Sequence, residues 1–352
     1  KEGIAVDWPI RYDDLAPWYG YAEKFAGIQG SKEGLDVLPD GEFMPAMELN
    51  CAEKDVKKRL EAYYKGQRHL IIGRSANITV PHENRTNCQY RDRCWRGCPF
   101  GGYFSTQSAT LPAAMKTGKL TLRPFSIVTK ILYDKDKKKA TGVEILDAET
   151  NKTYEFNSKI VFVCASALNS TWVLMNSATD VWEGGLGSSS GELGHNVMDH
   201  HFRTGAFGTV EGFNDKYEYG RRPTGTYIPR FRNVYNDKRD YLRGFGYQGG
   251  AGRGRGVDVA EFTIGASLKE AMSVASDNWG INFLGFGEML PHHDNKITLD
   301  KTVKDKWGLP VLSFDVELKE NEKKMRVDMM NDAKEMLEAS GVKNVQTYDW
   351  GY

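Results

Sequence analysis

Residues 159 to 176 constrain the fold of this chain most: KIVFVCASA is an apolar, β-branched run that ends in short side chains and leads directly into a helical pattern carrying Trp172, Leu174 and Met175. A strand, a tight turn and a helix in that order bring backbone close to a ligand at the helix start, the way α/β domains hold nucleotides. Short side chains at Ala165 and Ser166 permit that approach. The run also closes a set of period-2 segments, 119–134, 141–146 and 153–164, with the turn DKDKKK between the first two, so the pattern predicts an antiparallel meander.

On the N-terminal side, residues 7–26 place Leu15, Trp18, Tyr19, Tyr21, Ala22 and Phe25 on a helical stripe after an acidic first turn, and 53–65 place Val56, Leu60 and Tyr63 or Tyr64 on one face before Gly66. An extended segment at 69–80 leads into a cysteine-bearing loop, followed by a short helix at 108–117. The Gly/Ser-rich stretch EGGLGSSSGELGH, 183–195, marks a boundary or connector. Beyond it, strands near 202–210, 226–232, 241–248, 279–288, 296–299 and 309–317, with one helix near 267–274, predict a broad antiparallel sheet. A final helix, 319–340, puts Met325, Met329, Ala333, Met336 and Leu337 on one face, covers one side of that sheet, and stops at Gly341. The expected class is α+β, with two domains meeting near 190.

Lysine plus arginine and aspartate plus glutamate number 47 each, so no net field favours a polyanion and a nucleic-acid partner is not expected. No stretch approaches the length of a membrane span. The five cysteines are an odd number in a large chain, which argues against a disulfide scaffold. Cys88, Cys94 and Cys98, with His82 upstream, have the ligand types of a zinc or iron–sulfur site, but their spacing misses the C-x2-C knuckle, so structural thiols or one reducible pair is the expectation and no metal is assigned. GFGYQG at 244–249 is a literal Gly-x-Gly-x-x-Gly, yet NDKRDYLR precedes it and GAGRGRG follows. Without an apolar strand before and a helix after, it reads as sheet and loop, with Arg253 and Arg255 as groups that could face an anion. GHNVMDHH at 194–201 gathers Asn196, Asp199, His200 and His201, although neighbours in sequence point different ways. His292 and His293 read as solvated. The four Asn-x-Thr sequences carry no weight.

In order along the chain, DWPIRYDDLAPWYGYAEKFAGIQG, the stretch from Cys88 through CWRGCPFGGYFSTQSATLPAAMKTGKLTLRPFSIVTKILYD, VFVCASALNSTWVLMNS, GELGHNVMDHH and ITLDKTVKDKWGLPVLSFDV resemble the glucose–methanol–choline (GMC) oxidoreductases, in particular their bacterial gluconate-dehydrogenase-like branch. The resemblance covers most of the chain. It implies a partial FAD-binding domain over 1–190, built of the meander and the strand–turn–helix with helical and Cys-loop insertions, joined to a substrate domain over 191–352. It implies hydride transfer from an alcohol or sugar CH–OH to flavin N5 while a histidine takes the hydroxyl proton. Val128 matches the strand position whose backbone meets the adenine ring, Ala165 and Ser166 the turn near the adenosine or pyrophosphate, and Asn196, Asp199 and His200 a supporting Asn-x-x-Asp-His segment.

The family's N-terminal Gly-x-Gly-x-x-Gly and flavin-attachment stretch have no match, and its catalytic histidine would fall beyond Tyr352. No catalytic residue is therefore assigned, and the chain alone is expected to be a fragment, inactive and without bound FAD. A small subunit or cytochrome partner, and a bacterial cytoplasmic or periplasmic location, stay open. The competing reading is a complete, non-catalytic carbohydrate-binding or interaction module that uses some of its eight tryptophans and seventeen tyrosines to stack on sugar rings.

Overall fold

The computed structural model describes residues 4–218, 220–255, 264–273 and 275–351. In chain order the main elements are α1 (Tyr12–Ala26), α2 (Cys51–Tyr63), β1 (Ile71–Ile72), α3 (Leu111–Lys116), β2 (Ser126–Asp134), β3 (Lys139–Asp147), β4 (Thr153–Asn157), α4 (Ser166–Asn176), β5 (His200–Val210), β6 (Thr226–Ile228), β7 (Phe245–Arg255), α5 (Gly265–Ser273), β8 (Ala275–Glu288), β9 (Lys296–Lys304), β10 (Pro310–Asp315), α6 (Glu320–Ala339) and β11 (Lys343–Asp349). They fall into two units that alternate along the sequence: one of Leu120–Asp199 and Leu290–Leu318 with residues 4–5, the other of Val6–Lys119, His200–Met289 and Lys319–Tyr352.

The first unit holds the meander β2–β3–β4 and the hairpin β9–β10, all antiparallel, with α4 packed on β2 and β9. The Gly/Ser-rich stretch is not a boundary between two consecutive halves. It is fixed inside this unit, because the Leu186 N–H donates to Leu174 O at 2.9 Å and the Ile297 N–H to Gly194 O at 2.8 Å. The hairpin also belongs to this unit, not to the broad sheet where sequence placed it.

The second unit is one six-stranded sheet, order β1-β6-β7-β8-β5-β11, antiparallel at every step. β11 is a strand that the sequence pattern did not announce. Helix α6 lies along β5, β8 and β11, and α2 packs against α6, β7 and β8. Met325, Met329, Ala333, Met336 and Leu337 recur at helical spacing and are fully buried with Trp279, Phe283, Val56 and Leu60. Gly285 lets the helix come close: a Cβ there would lie 2.7 Å from Met329 Sδ. GFGYQG lies on and beside β7 as strand, as its flanks suggested.

Polar anchors lock this core. At the start of α2, the Glu53 N–H donates to Asn50 Oδ1 at 3.0 Å while the Glu53 carboxylate accepts from Asn50 N at 2.9 Å. That same buried carboxylate accepts from Ala251 N at 3.0 Å and pairs with Arg222 at 2.8 Å, which ties α2 to β7. On α6, Asp332 is fully buried between Arg68 at 3.0 Å and Arg232 at 2.7 Å. The Arg68 guanidinium lies 3.9 Å from the Tyr64 ring centroid and 4.2 Å from that of Phe231.

Helix α1 forms within the expected stretch, yet no α1 residue is buried, and Trp18, Tyr19 and Tyr21 of its aromatic stripe are exposed.

Removing the Asp332 carboxylate leaves two guanidinium groups buried without their shared partner. Asp332→Ala is expected to cost about 3–5 kcal/mol and Met336→Ala roughly 2–5 kcal/mol. Urea unfolding of both variants checks these losses.

Candidate functional site

In the first unit, the run expected as a strand at 159–167 forms no strand at residues 160–164 and pairs with no described strand. Ile160 and Phe162 are 67% and 81% exposed. The chain then turns at Ala165 into α4, whose first residue, Ser166, has φ +62°. Both Ala165 and Ser166 are exposed, and no side chain caps the helix start. The Ala165 N–H donates to Ser170 Oγ at 3.2 Å, while the helix is held at its far end, where the Ile131 N–H donates to Ser177 Oγ at 2.8 Å. Val128 is half-buried on β2, opposite Ile145 and beside a bulge. An uncapped helix start flanked by short, open side chains fits a nucleotide; a side chain folded over it would not.

Asn196 adopts φ +58°, a conformation that asparagine tolerates, and its amide donates to the Glu192 carboxylate. His195 Nδ1 donates to His293 O at 2.7 Å, and the two rings stack at 4.1 Å. His293 is exposed, as expected. Asp199 is exposed at the end of the first unit, and His200 opens β5 in the second, exposed, with its ring edge-on to Phe286 at 6.5 Å. The alternation of β5 sends the next histidine inward.

His201 is fully buried beneath α6, and neither ring nitrogen makes a well-formed hydrogen bond. Burial first, and then the Arg326 charge, depress its pKa to about 4 from 6.5, against a smaller opposing pull from Glu322. Arg326 in turn gathers the end of β11: it pairs with Asp349, and its Nη1 donates to Phe202 O at 2.7 Å.

Both helices cover one face of the six-stranded sheet. On the other face the strand register aligns Tyr227, Gln248, Leu284, Gly205 and Tyr348, with Asn282 opposite Phe207 in the next row. Phe207 is 44% exposed and Trp350 is 72% exposed. Tyr348 stacks on Trp350 at 4.6 Å and lies 6.2 Å from Phe207. Sequence reading missed these residues. Their signal, the interval of two that separates Asn282, Leu284 and Phe286 from inward Ile281 and Phe283, has meaning only once the register is known.

In the cysteine loop, Cys88, Cys94 and Cys98 are half-buried free thiols, and the Tyr90 N–H donates to Cys88 Sγ at 3.4 Å. Burial raises the Cys98 pKa, but backbone N–H groups of Tyr103, Phe100 and Gly102 outweigh it and leave it below the ordinary thiol value. His82 Nε2 lies 3.1 Å from Phe25 O. Among the described residues, no three or more His, Cys, Asp or Glu side chains are grouped to hold a metal ion. Arg253 stacks over Tyr217 at 4.2 Å and donates to Asn214 O at 2.8 Å, whereas the side chain of Arg255 lies outside the described residues.

A family model described as GMC oxidoreductase matches residues 11–202, more than half of the chain, and the chain belongs to that family. A 2-methyl-1,2-propanediol dehydrogenase of Mycolicibacterium austroafricanum is 28% identical over 308 residues, covering 85% of this chain and 54% of that protein. The fructose dehydrogenase large subunit of Gluconobacter japonicus is 23% identical over 309 residues, covering 86% and 55%. The 6'''-hydroxyparomomycin C oxidase of Streptomyces lividus is 24% identical over 263 residues, covering 68% and 46%. The chain spans about half the length of these curated relatives.

The buried histidine makes the fold acid-sensitive. Above pH 6.5 His201 is neutral in both folded and unfolded chains; as pH falls from 6.5 toward 4, only the unfolded chain takes up the proton and stability drops. Asp332, whose pKa burial raises to about 6, acts in the opposite sense over part of that window. The difference between the parent chain and His201→Gln isolates the histidine: the parent should lose about 3 kcal/mol more between pH 7 and pH 4, read by urea unfolding at each pH.

Proposed function

We propose that this chain forms part of an FAD-dependent oxidoreductase acting on a CH–OH group of an alcohol or sugar. The observation that carries the reading is the open turn at Ala165 and Ser166, with its uncapped helix start, inside the region that matches the family. That matched region corresponds to the family's FAD-binding part. The relatives are named as a diol dehydrogenase, a fructose dehydrogenase and an aminoglycoside oxidase, which agree in attacking an alcohol carbon.

The residues divide the work as follows. Backbone N–H groups at the start of α4 present positive dipole ends to a pyrophosphate, and the short side chains of Ala165 and Ser166 let it approach. Val128 on β2 offers backbone to the adenine. FAD, when bound, supplies the electron sink for the hydride leaving the alcohol carbon. The uncovered sheet face, with Asn282 and Tyr348 among exposed rings, serves as the substrate surface. Asn196, Asp199 and His200 are taken as supporting residues, in the segment that leads along the chain into β5. Among the described residues no helix is long and apolar enough to cross a membrane. One relative is named as a large subunit, so a partner subunit is looked for in the same purification.

The test uses the gene product with all coding sequence contiguous with this chain. It should purify yellow, and its flavin band should bleach anaerobically with a sugar or alcohol. Ala165→Leu should retain FAD at least about tenfold more weakly, near 1.4 kcal/mol, with unchanged cooperative unfolding. A colourless product that FAD does not restore overturns the reading.

A further inference from the structure

We propose that the cleft between α1 and the loop that follows it binds a small organic anion, a carboxylate or phosphate carried on an apolar ring. The cleft lies wholly within the second unit, and its lining includes neither the turn at Ala165 nor the open sheet face. Its cavity of about 390 Å³ has room for a ligand of that size.

One wall is helix. Ala16, Pro17 and Gly20 give it short side chains, and the ring of Tyr21, 71% exposed, adds an apolar face. Gly20 lets the loop come close, since a Cβ there would lie 3.2 Å from Glu42 Cγ. The Glu23 carboxylate accepts from Glu42 N at 2.9 Å and would collide with a Cβ at Gly41, so helix and loop are joined where they meet. The loop is itself braced. The Asp40 carboxylate accepts from Glu33 N at 2.9 Å and Gly34 N at 3.0 Å, and pairs with Arg74 at 3.1 Å, while Arg74 Nη1 donates to Pro39 O at 2.7 Å. Walls fixed before a ligand arrives lower the entropy lost on binding.

The charges at the cleft are not all spent. Asp40 and Glu23 have their partners within the protein, as just described. Lys24 on the helix and Lys32 on the loop are exposed, and among the described residues neither makes a hydrogen bond or an ion pair; Lys32 acts on Asp40 only at a distance. The Glu42 carboxylate likewise has no such partner among the described residues. Two ammonium groups from facing walls suit one carboxylate or phosphate, and Tyr21 with Pro17 suits the apolar body behind it. Glu42 opposes the same ligand. Removing its charge should therefore strengthen binding, whereas loss of structure would weaken it.

The test is a titration of the gene product with all contiguous coding sequence, read by ligand-observed saturation-transfer NMR, with phenyl phosphate, benzoate and the neutral benzamide as probes. The anions should bind at least about tenfold more tightly than benzamide, the sum of two exposed ion pairs, and their affinity should fall as salt is raised. Lys24→Gln and Lys32→Gln should each weaken anion binding about threefold, and Glu42→Gln should strengthen it about twofold. Circular dichroism checks the fold of all three variants, whose sites are exposed. Binding of one anion and not the other upholds the site and names its headgroup. Binding of neither, equal binding of benzamide, or folded lysine variants at parent affinity would each overturn the proposal. None of these readouts involves flavin, so they succeed or fail separately from the colour and bleaching of the gene product.

Discussion

The packing of α6 onto one face of the six-stranded sheet is the constraint on which the second unit depends. Five apolar residues of that helix are fully buried, and glycine at 285 and 287 lets the backbone of β8 come within reach of Met329 and Met325. Because both large helices gather on this side, the sheet has a dry face and a wet one. The wet face is then free to carry aromatic and amide side chains that a sandwiched sheet would bury. A core that is hydrophobic on one side only is what makes a surface available for binding.

Charge is managed inside that core by sharing. Asp332 serves two arginines, and Glu53 serves Arg222 together with two backbone N–H groups, so each buried carboxylate is opposed by more than one donor. His201 is the exception. It lies in the same interior without good hydrogen bonds and is kept neutral by burial and by Arg326. The guanidinium of Arg326 also holds the end of β11 through Asp349, so the edge strand bearing Tyr348 is fastened from the core side of the helix.

The first unit shows the opposite economy. Its meander and hairpin are small, and the apolar run at 160–164 has neither a strand partner nor a cover among the described residues. A stretch that reads as buried strand is exposed here, with Phe162 four-fifths accessible. The exposure follows from its neighbours: β-branched propensity favours an extended backbone, but pairing needs another strand alongside. Beyond this run the chain turns into the uncapped start of α4, within the region that the GMC family model matches.

Sequence by itself determined what depends on near neighbours along the chain. Met325 to Leu337 declared their helix face by spacing; the meander declared itself by alternation and its lysine-rich turn; and the flanks of GFGYQG were enough to reject a phosphate loop. Tertiary structure alone decided what depends on distant ones. It withheld burial from the α1 aromatics, split the chain into alternating units in place of a cut near 190, and set Gln248, Asn282 and Tyr348 on one face through register across four strands. The physical reason is that periodicity tells a residue which side of its own element it occupies, whereas only long-range pairing and packing determine whether that side meets core, solvent or ligand.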